Sequence, residues 1–594
     1  MAENILVCIA WPYANAEIHV GNIVGSHLPA DIVARYYRLK GANVLVVSGS
    51  DSHGTPVTVR ADAEGKTPLE VYERFHKHFI DLFVACGITY DLFTSTHTEN
   101  HFKVSQDIFL RLLERSYLYT QVEKQWFSPD QNRFLPDRYV EGTCYICGYE
   151  SARGDQCDKC GNLLDATQLI NPRAKGSASA LELRDTEHYY LDLAKSAPEL
   201  SKWLHTGKEH WRSQVLNPSI AQVDSGDLHG RPITRDLSWG IPVPVASWAE
   251  KGKCLYVWFE AVIGYLSATI EWARNNGTPE VWKDWWYDPS AKIFNFIGKD
   301  NIPFHAVIWP AELLGIERLY EDDPAKRINL PYDVPANEFL NLEGQKISGS
   351  RNWAVWGLDF LSRYDPDALR YYLTAIMPES KDADWDWAEF VQHNNNELVA
   401  TWGNLCNRVL TFATKHWAGQ VPDPGELTDA DRDLLARVEA GFDRVGGLIE
   451  AVKLRAALEE VVALATEVNK YLDANGPWFQ VKTDKAAAGR SIYVALRAID
   501  SLKILFAPFL PFTSQKLHGF LGYDGRLAGE HKVVDYAESA SNHLGLTYDP
   551  AGVTATWAPS TLAAGQALRT PAPLFKKLDD VVVAEERERL GRGA

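Results

Sequence analysis

An uninterrupted apolar run spans Ile5 to Ala10, and a second apolar stretch spans Asn43 to Ser48. Short apolar runs bounded by polar turns predict buried strands. Between them, apolar positions from Ile23 to Arg38 recur at helical spacing, and Pro68 to Val84 does the same after a charged first turn. Strand and helix alternate in this way to about residue 116. Alternation of this kind predicts a parallel sheet with helices on its faces, which binds ligands beyond the carboxyl ends of its strands. Further on the pattern changes. Segments at about 390–417, 428–473 and 485–522 keep helical spacing without strand alternation, which predicts a helix bundle. No apolar run approaches the roughly 20 residues of a membrane helix.

Composition adds limits. A chain of 594 residues, 46% hydrophobic, holds more than one core, and its length suits roughly three to four domains. The formal net charge of −18 gives no reason, by itself, to expect a nucleic-acid partner. Four of the eight cysteines cluster, and Cys8, Cys86, Cys254 and Cys406 are scattered. That usage fits a reducing, cytoplasmic setting better than a disulfide scaffold. The N-terminus has none of the parts of a secretory signal.

Three stretches carry candidate chemistry. The first, Ala10-Trp11-Pro12-Tyr13-Ala14-Asn15-Ala16-Glu17-Ile18-His19-Val20-Gly21-Asn22, hands a strand over to a helix N-terminus. Backbone N–H groups and the helix dipole favour an anion there. Gly21 permits close approach, and His19 and Asn22 have donors for phosphate oxygens; a plain surface loop is the bland alternative. The second, Ser50-Asp51-Ser52-His53-Gly54-Thr55-Pro56, ends the next strand and should face the first; its bland reading is a capped loop. The third is Cys144-x2-Cys147-x9-Cys157-x2-Cys160, with Gly148 and Gly161 beside the pairs. Two such knuckles close a tetrahedral shell, and four sulfur ligands leave no open position, so a structural zinc is expected.

Far downstream lies Gly344-Gln345-Lys346-Ile347-Ser348-Gly349-Ser350-Arg351. Together with the His19 turn it resembles the paired HIGH and KMSKS signatures of class I aminoacyl-tRNA synthetases. Other segments resemble the methionyl branch of that family: Asp51-x-His53-Gly54-Thr55-Pro56, the cysteine knuckles inserted between two halves of the nucleotide fold, Ile233 to Pro242, and Phe296-Ile297-Gly298-Lys299-Asp300 with the later His305. Asn404-Leu405-x-x-Arg408 and Pro477-Trp478 do so in the helical part.

The resemblance implies an α/β fold: a Rossmann-like class I nucleotide domain with a zinc-knuckle insertion, followed by an all-α anticodon-binding bundle. The expected spans are 1–116 and 232–330 for the two catalytic halves, 117–231 for the insertion and 331–388 for the KMSKS-type loop and stem-contact region. Residues 389–540 are the expected helical domain, and 541–594 a C-terminal peptide packing back on the core. It implies ligation of L-methionine to tRNA(Met) with ATP and Mg2+. His19, Asn22 and Lys346 are implied as catalytic, and His19, Gly21, Asn22, Lys346, Ser348 and Ser350 as ATP-binding. Trp11, Tyr13, Asp51, Trp258, Tyr265 and His305 are implied for the amino acid, with Asp51 holding the α-amino group and Tyr265 and His305 giving the sulfur a weak polar contact. Asn404, Arg408 and Trp478 are implied for the anticodon. A monomer is expected, with neither DNA nor membrane as partner.

The chain departs from the family pattern at four places. Gly349 stands where the second lysine of KMSKS is usual, Asn22 where the last histidine of HIGH is, Trp11 often where leucine is, and Val262 often where proline is. Arg351, two residues past Gly349, is a candidate stand-in, although a guanidinium fork differs from a lysine point charge. Gly349 keeps a second reading open, a catalytically impaired tRNA-binding relative. A third is an amino-acid-adenylating enzyme with another product.

Overall fold

The computed structural model describes residues 2–136, 139–154, 157, 159–160, 162, 164–174, 180–539 and 542–592. Its centre is a seven-stranded sheet in the order Ala336–Asn337, Lys292–Gly298, Asn4–Ile9, Asn43–Ser50, Leu92–Ser95, His543–Asp549, Glu530–Tyr536. The first five strands are parallel. Side chains alternate across a strand, and here both faces are covered. Ile5, Val7 and Ile9 enter one core, while Leu6 and Cys8 enter the other. That double burial is why the run reads as continuously apolar.

Local signals set the flanking helices. Thr67 and Glu70 cap the helix Pro68–Cys86 reciprocally, proline takes its first turn, and Gly87 ends it at φ 67°. An added Cβ at Gly87 would also stand 2.7 Å from Phe512 of the helical region.

The chain leaves the sheet for a second, antiparallel one, in which Leu118–Ser128 pairs with Glu182–Leu191. A small three-stranded sheet at Val140–Thr143, Ala152–Arg153 and Ile170–Ala174 carries the cysteines. It leans on the helix Thr55–Glu64, where the Tyr139 hydroxyl bonds Thr58 Oγ1 at 3.1 Å and Asp62 Oδ2 at 2.9 Å.

The helical region runs through Trp387–His393, a π-helical stretch Asn394–Gly403, Asn404–His416, Asp429–Glu439, Gly441–Glu450, Leu454–Asn475, Lys485–Phe506 and Pro511–Phe520. Two features differ from the sequence expectation. The segment 428–473 is three helices, broken before Gly441 and again at Val452, which sits at φ 51° with no glycine or proline to announce it. The strand Glu530–Tyr536 lies inside the span expected to be all helical. With His543–Asp549 it forms a hairpin that joins the sheet edge through Leu546 and Phe93. One of its strands is an edge strand, so its alternation is weak. No helix among the described residues is long and apolar enough to cross a membrane.

Candidate functional site

The parallel strands reverse their order between Asn4–Ile9 and Lys292–Gly298, the switch point at which open α/β sheets bind ligands. A cleft of about 550 Å3 opens there. His19 caps the short helix Val20–Asn22: its Nδ1 accepts from the Asn22 N–H at 3.3 Å, and Asn22 Oδ1 accepts from the His19 N–H at 3.1 Å. Burial pushes the His19 imidazole down to about 4, so it is neutral near pH 7. With Nδ1 accepting, the proton of the neutral ring belongs on Nε2, which leaves one N–H for a ligand. Asn22 spends its oxygen in the cap and keeps its amide N–H groups.

The two signature segments meet in this cleft. An added Cβ at Gly21 would stand 3.0 Å from the His19 ring and 3.2 Å from Ile347. The Val20 N–H donates to Val355 O at 2.9 Å and the Gly357 N–H to Ile18 O at 3.0 Å, and the Trp356 ring lies 6.1 Å from that of His19. Lys346 is exposed, with its Nζ 5.1 Å above the Phe339 ring. His19, Gly21, Asn22, Lys346 and Gly349 line the cleft. Ser348 and Ser350 do not: their hydroxyls face each other at 3.3 Å, and Ser350 lines the neighbouring groove. Arg351 is outside the lining as well.

Trp11, Tyr13, Asp51, Trp258, Tyr265 and His305 line the other end of the cleft. Trp11 fits because Gly49 and Gly264 are bare, since an added Cβ would stand 2.2 Å and 2.7 Å from its indole. Trp258 stacks on Phe304 at 4.1 Å and meets Tyr13 edge-on at 6.0 Å. Asp51 is 4% exposed, and its Oδ1 has no partner among the described residues. Burial, with the Glu260 carboxylate second, drives its carboxyl well above the usual range.

His305 Nδ1 faces the Asn301 carbonyl at 2.9 Å, so that nitrogen carries the proton, and Nε2 accepts the Tyr265 O–H at 2.7 Å. Burial pushes His305 down to about 4. Both donors are therefore committed to protein acceptors, and no polar contact remains that either would donate to a thioether.

Behind Asp51 lies a network that sequence reasoning missed. Glu260 is fully buried between His53 Nδ1 at 2.8 Å and His101 Nε2 at 2.7 Å. Burial raises the Glu260 carboxyl, and the two histidines outweigh it and hold it below its ordinary value. His53 was legible in the Asp51 motif; Glu260 and His101 come together only in the fold.

The ligand atoms of Cys144, Cys147, Cys157 and Cys160 lie within 4.8 Å of one another. A tetrahedral zinc–thiolate shell requires sulfurs about 3.8 Å apart, so the donor set fits zinc. The N–H of Ile146 donates to Cys144 Sγ at 3.4 Å, and the Asn162 amide to Cys160 Sγ at 3.3 Å. The N–H donors of Asn162, foremost its backbone, pull Cys160 down to about 6, toward the thiolate a metal needs. Gly148 turns at φ 73°, and Gly161 lies outside the described residues.

In the bundle, Asn404 and Arg408 are one turn apart on a helix face. The Arg408 guanidinium covers the half-buried Trp478 ring at 4.7 Å, and Phe412 meets that ring edge-on at 4.9 Å. Phe479, 80% exposed beside it, was not anticipated.

The chain is similar to known proteins over nearly its whole length. The family model for class I tRNA synthetases (M) matches residues 5–410, and that for the anticodon binding domain of methionyl tRNA ligase matches 421–542. A methionine–tRNA ligase of Thermomicrobium roseum is 53% identical over 592 residues, with 99% of each chain covered. That of Chloroflexus aurantiacus is 50% identical over 599 residues, again with 99% of each covered. Mycobacterium tuberculosis methionyl-tRNA synthetase in complex with methionyl-adenylate superposes with a TM-score of 0.75 at 25% identity, over 97% of this chain and 100% of that one.

Proposed function

Because the chain belongs to the class I methionyl-tRNA synthetases, we propose that it joins L-methionine to tRNA(Met) in two steps within this one cleft. The methionine carboxylate attacks the α-phosphorus of ATP in line, giving methionyl-adenylate and pyrophosphate. A terminal ribose hydroxyl of the tRNA then attacks the activated carbonyl and releases AMP. Mg2+ bound with ATP supplies charge neutralisation on the phosphates. His19, through Nε2–H, Asn22, through its amide, and Lys346 stabilise the charge that develops there. Ser348 and Ser350 shape the loop. Asp51 receives the α-ammonium group.

The observation that carries this reading is the buried Asp51 carboxyl beside an aromatic pocket, with one oxygen, Oδ1, left without a partner. An unpaired buried carboxylate is costly, and an ammonium ion is the partner that repays it. Trp11, Trp258 and the paired Tyr265 and His305 present polarizable aromatic surface to the thioether. Tyr265 and His305 have no spare donor for a polar side chain, and the one buried donor without a partner among these residues is the Trp11 indole N–H. Burial raises the Asp51 carboxyl, and an ammonium ion beside it favours its ionised form. Methionine affinity is therefore expected to strengthen as pH rises through the Asp51 range, until the amino group itself deprotonates. Calorimetric titration at several pH values checks this; a pH-independent affinity contradicts it.

Asn404, Arg408 and Trp478 form the anticodon contact, in which an unpaired base stacks on the indole. Loss of such stacking costs about 1–3 kcal/mol per base, so Trp478→Ala should lower kcat/KM for tRNA charging by about tenfold to a hundredfold. Methionine-dependent ATP–pyrophosphate exchange without tRNA should not change. Unaltered charging would remove the bundle's assignment.

The knuckles hold one structural Zn2+ per chain through Cys144, Cys147, Cys157 and Cys160. The core beneath them is a handful of residues, too few to hold a sheet together unaided. Cys147→Ser should release the metal, measured by elemental analysis, and lower charging at least tenfold while the main thermal transition stays in place.

The impaired-relative reading rests on Gly349 alone. Backbone φ there is not positive, and the nearest atom to an added Cβ is Trp356 Cη2 at 3.2 Å, so a side chain fits after a small shift. Gly349→Lys should raise the exchange rate several-fold; a fall would show that the loop is built around glycine.

A further inference from the structure

One helix has the residues around Trp478 at one end and, at the other, contacts that lead to the cleft. The helix Leu454–Asn475 has 22 residues, about 33 Å at 1.5 Å per residue. Its last two turns bear Asn469, whose Oδ1 accepts from Arg408 Nη2 at 3.3 Å, and Asp473, 3.7 Å from Arg408 Nη1. Gly476, Pro477 and Trp478 follow directly.

At its other end three separate parts of the chain converge. Glu379 Oε1 accepts the N–H groups of Leu454 at 2.6 Å and Arg455 at 3.2 Å. Arg212, which leads into the helix Ser213–Asp224 of the insertion, donates from Nη2 to Val452 O at 3.2 Å. Its Nη1 donates to Ala336 O and to Asn337 Oδ1, both at 2.7 Å. Asn337 is 2% exposed, lines the cleft and lies seven residues before the second signature, Gly344 to Arg351. Its Nδ2 donates to Val24 O at 2.8 Å, inside the π-helical turn Ile23–His27 that follows His19 and Asn22.

A continuous hydrogen-bonded chain thus runs from Val452 through Arg212 and Asn337 to the phosphate turn. Two of its members carry marks of a functional joint. Val452 is β-branched and held at φ 51°, a conformation that costs energy and persists where the surroundings impose it. The turn at Val24 is a π-helical insertion, a form frequent at functional sites. A guanidinium presents its donors in a rigid fork, so a shift of Val452 is passed to Asn337 rather than absorbed.

We propose that Arg212 is a positioning residue that couples the helix Leu454–Asn475 to the nucleotide turn, so that an anticodon bound at Trp478 favours the arrangement competent for transfer to tRNA. The proposal rests on the reading of Asn404, Arg408 and Trp478 as the anticodon contact. Arg212→Lys keeps the charge and removes the fork. It should lower kcat for aminoacylation about tenfold, with KM for tRNA and tRNA-free exchange each within about twofold of the parent. Combined with Trp478→Ala it should cost no more in kcat than the worse single change, since both act through one joint.

Equal losses in exchange and aminoacylation would make Arg212 merely structural, and multiplying losses in the double variant would make the sites independent; either overturns the proposal. If Trp478→Ala alone leaves charging intact, the anticodon reading fails instead. Should Arg212→Lys not fold, Val452→Gly keeps the carbonyl acceptor and relieves the φ 51° strain. It should show the same loss confined to reactions with tRNA, and an unchanged kcat would overturn the proposal.

Discussion

Asp51→Asn is expected to lower kcat/KM for methionine in ATP–pyrophosphate exchange by about a thousandfold while making the empty protein more stable. Removing one partner of a buried ion pair costs about 3–5 kcal/mol, which here would be lost from substrate binding. The stability effect has the opposite sign. Burial and Glu260 raise the Asp51 carboxyl, so between its unfolded and folded values the native state holds a proton that the unfolded chain has released. Stability then falls as pH rises through that window. Asparagine has no such penalty, so the gain in melting temperature should grow with pH above the ordinary aspartate range. Asp31 is the contrasting case: burial raises it, but Arg35 at 2.8 Å and Arg370 at 2.7 Å outweigh burial and hold it below its ordinary value. Its contribution is present above the unfolded value and lost as pH falls, so Asp31→Asn should destabilise. Melting curves of the two variants across pH separate a carboxylate kept for a ligand from one kept for the fold. A less stable Asp51→Asn protein would contradict the assignment.

Lys346→Ala is expected to slow exchange by roughly 10^2–10^3, the scale of losing one preorganised donor at about 3–4 kcal/mol. The chain has Gly349 in place of a second lysine, and Arg351 is outside the cleft lining, so Lys346 is the one cation this loop brings to the cleft. It has no carboxylate within ion-pair distance among the described residues, and its charge reaches Asp300, whose carboxyl is raised first by burial and drawn back by Lys346. The change should appear in kcat, with KM for methionine little altered and no change in melting temperature. Steady-state exchange at saturating methionine measures it. A loss under about threefold would show that another group meets the pyrophosphate.

Much of the architecture was legible where local chemistry and tertiary environment agree. The run Ile5–Ala10 is apolar throughout because both faces of its strand are covered, and the strand is Asn4–Ile9. The cysteine spacing marked four residues that do converge. What stayed hidden was long-range. Arg212 reads as one more surface cation until its guanidinium is seen bridging 336–337 and Val452. Glu260 sits inside an aromatic stretch without any sign that His53 and His101 would enclose it. The Glu530–Tyr536 strand has one exposed face, so its pattern is faint. Resemblance located the residues around Tyr265 and His305, but only their hydrogen bonds reveal which protons are already committed.

The most direct test of the central claim is amino-acid-dependent ATP–pyrophosphate exchange, run on the purified, zinc-loaded protein with each of the twenty amino acids in turn. Methionine should support exchange and the others should remain at background. Exchange driven by a different amino acid would overturn the pocket assignment while leaving the fold untouched, and no exchange from the folded protein would show that the cleft with Gly349 does not activate an amino acid.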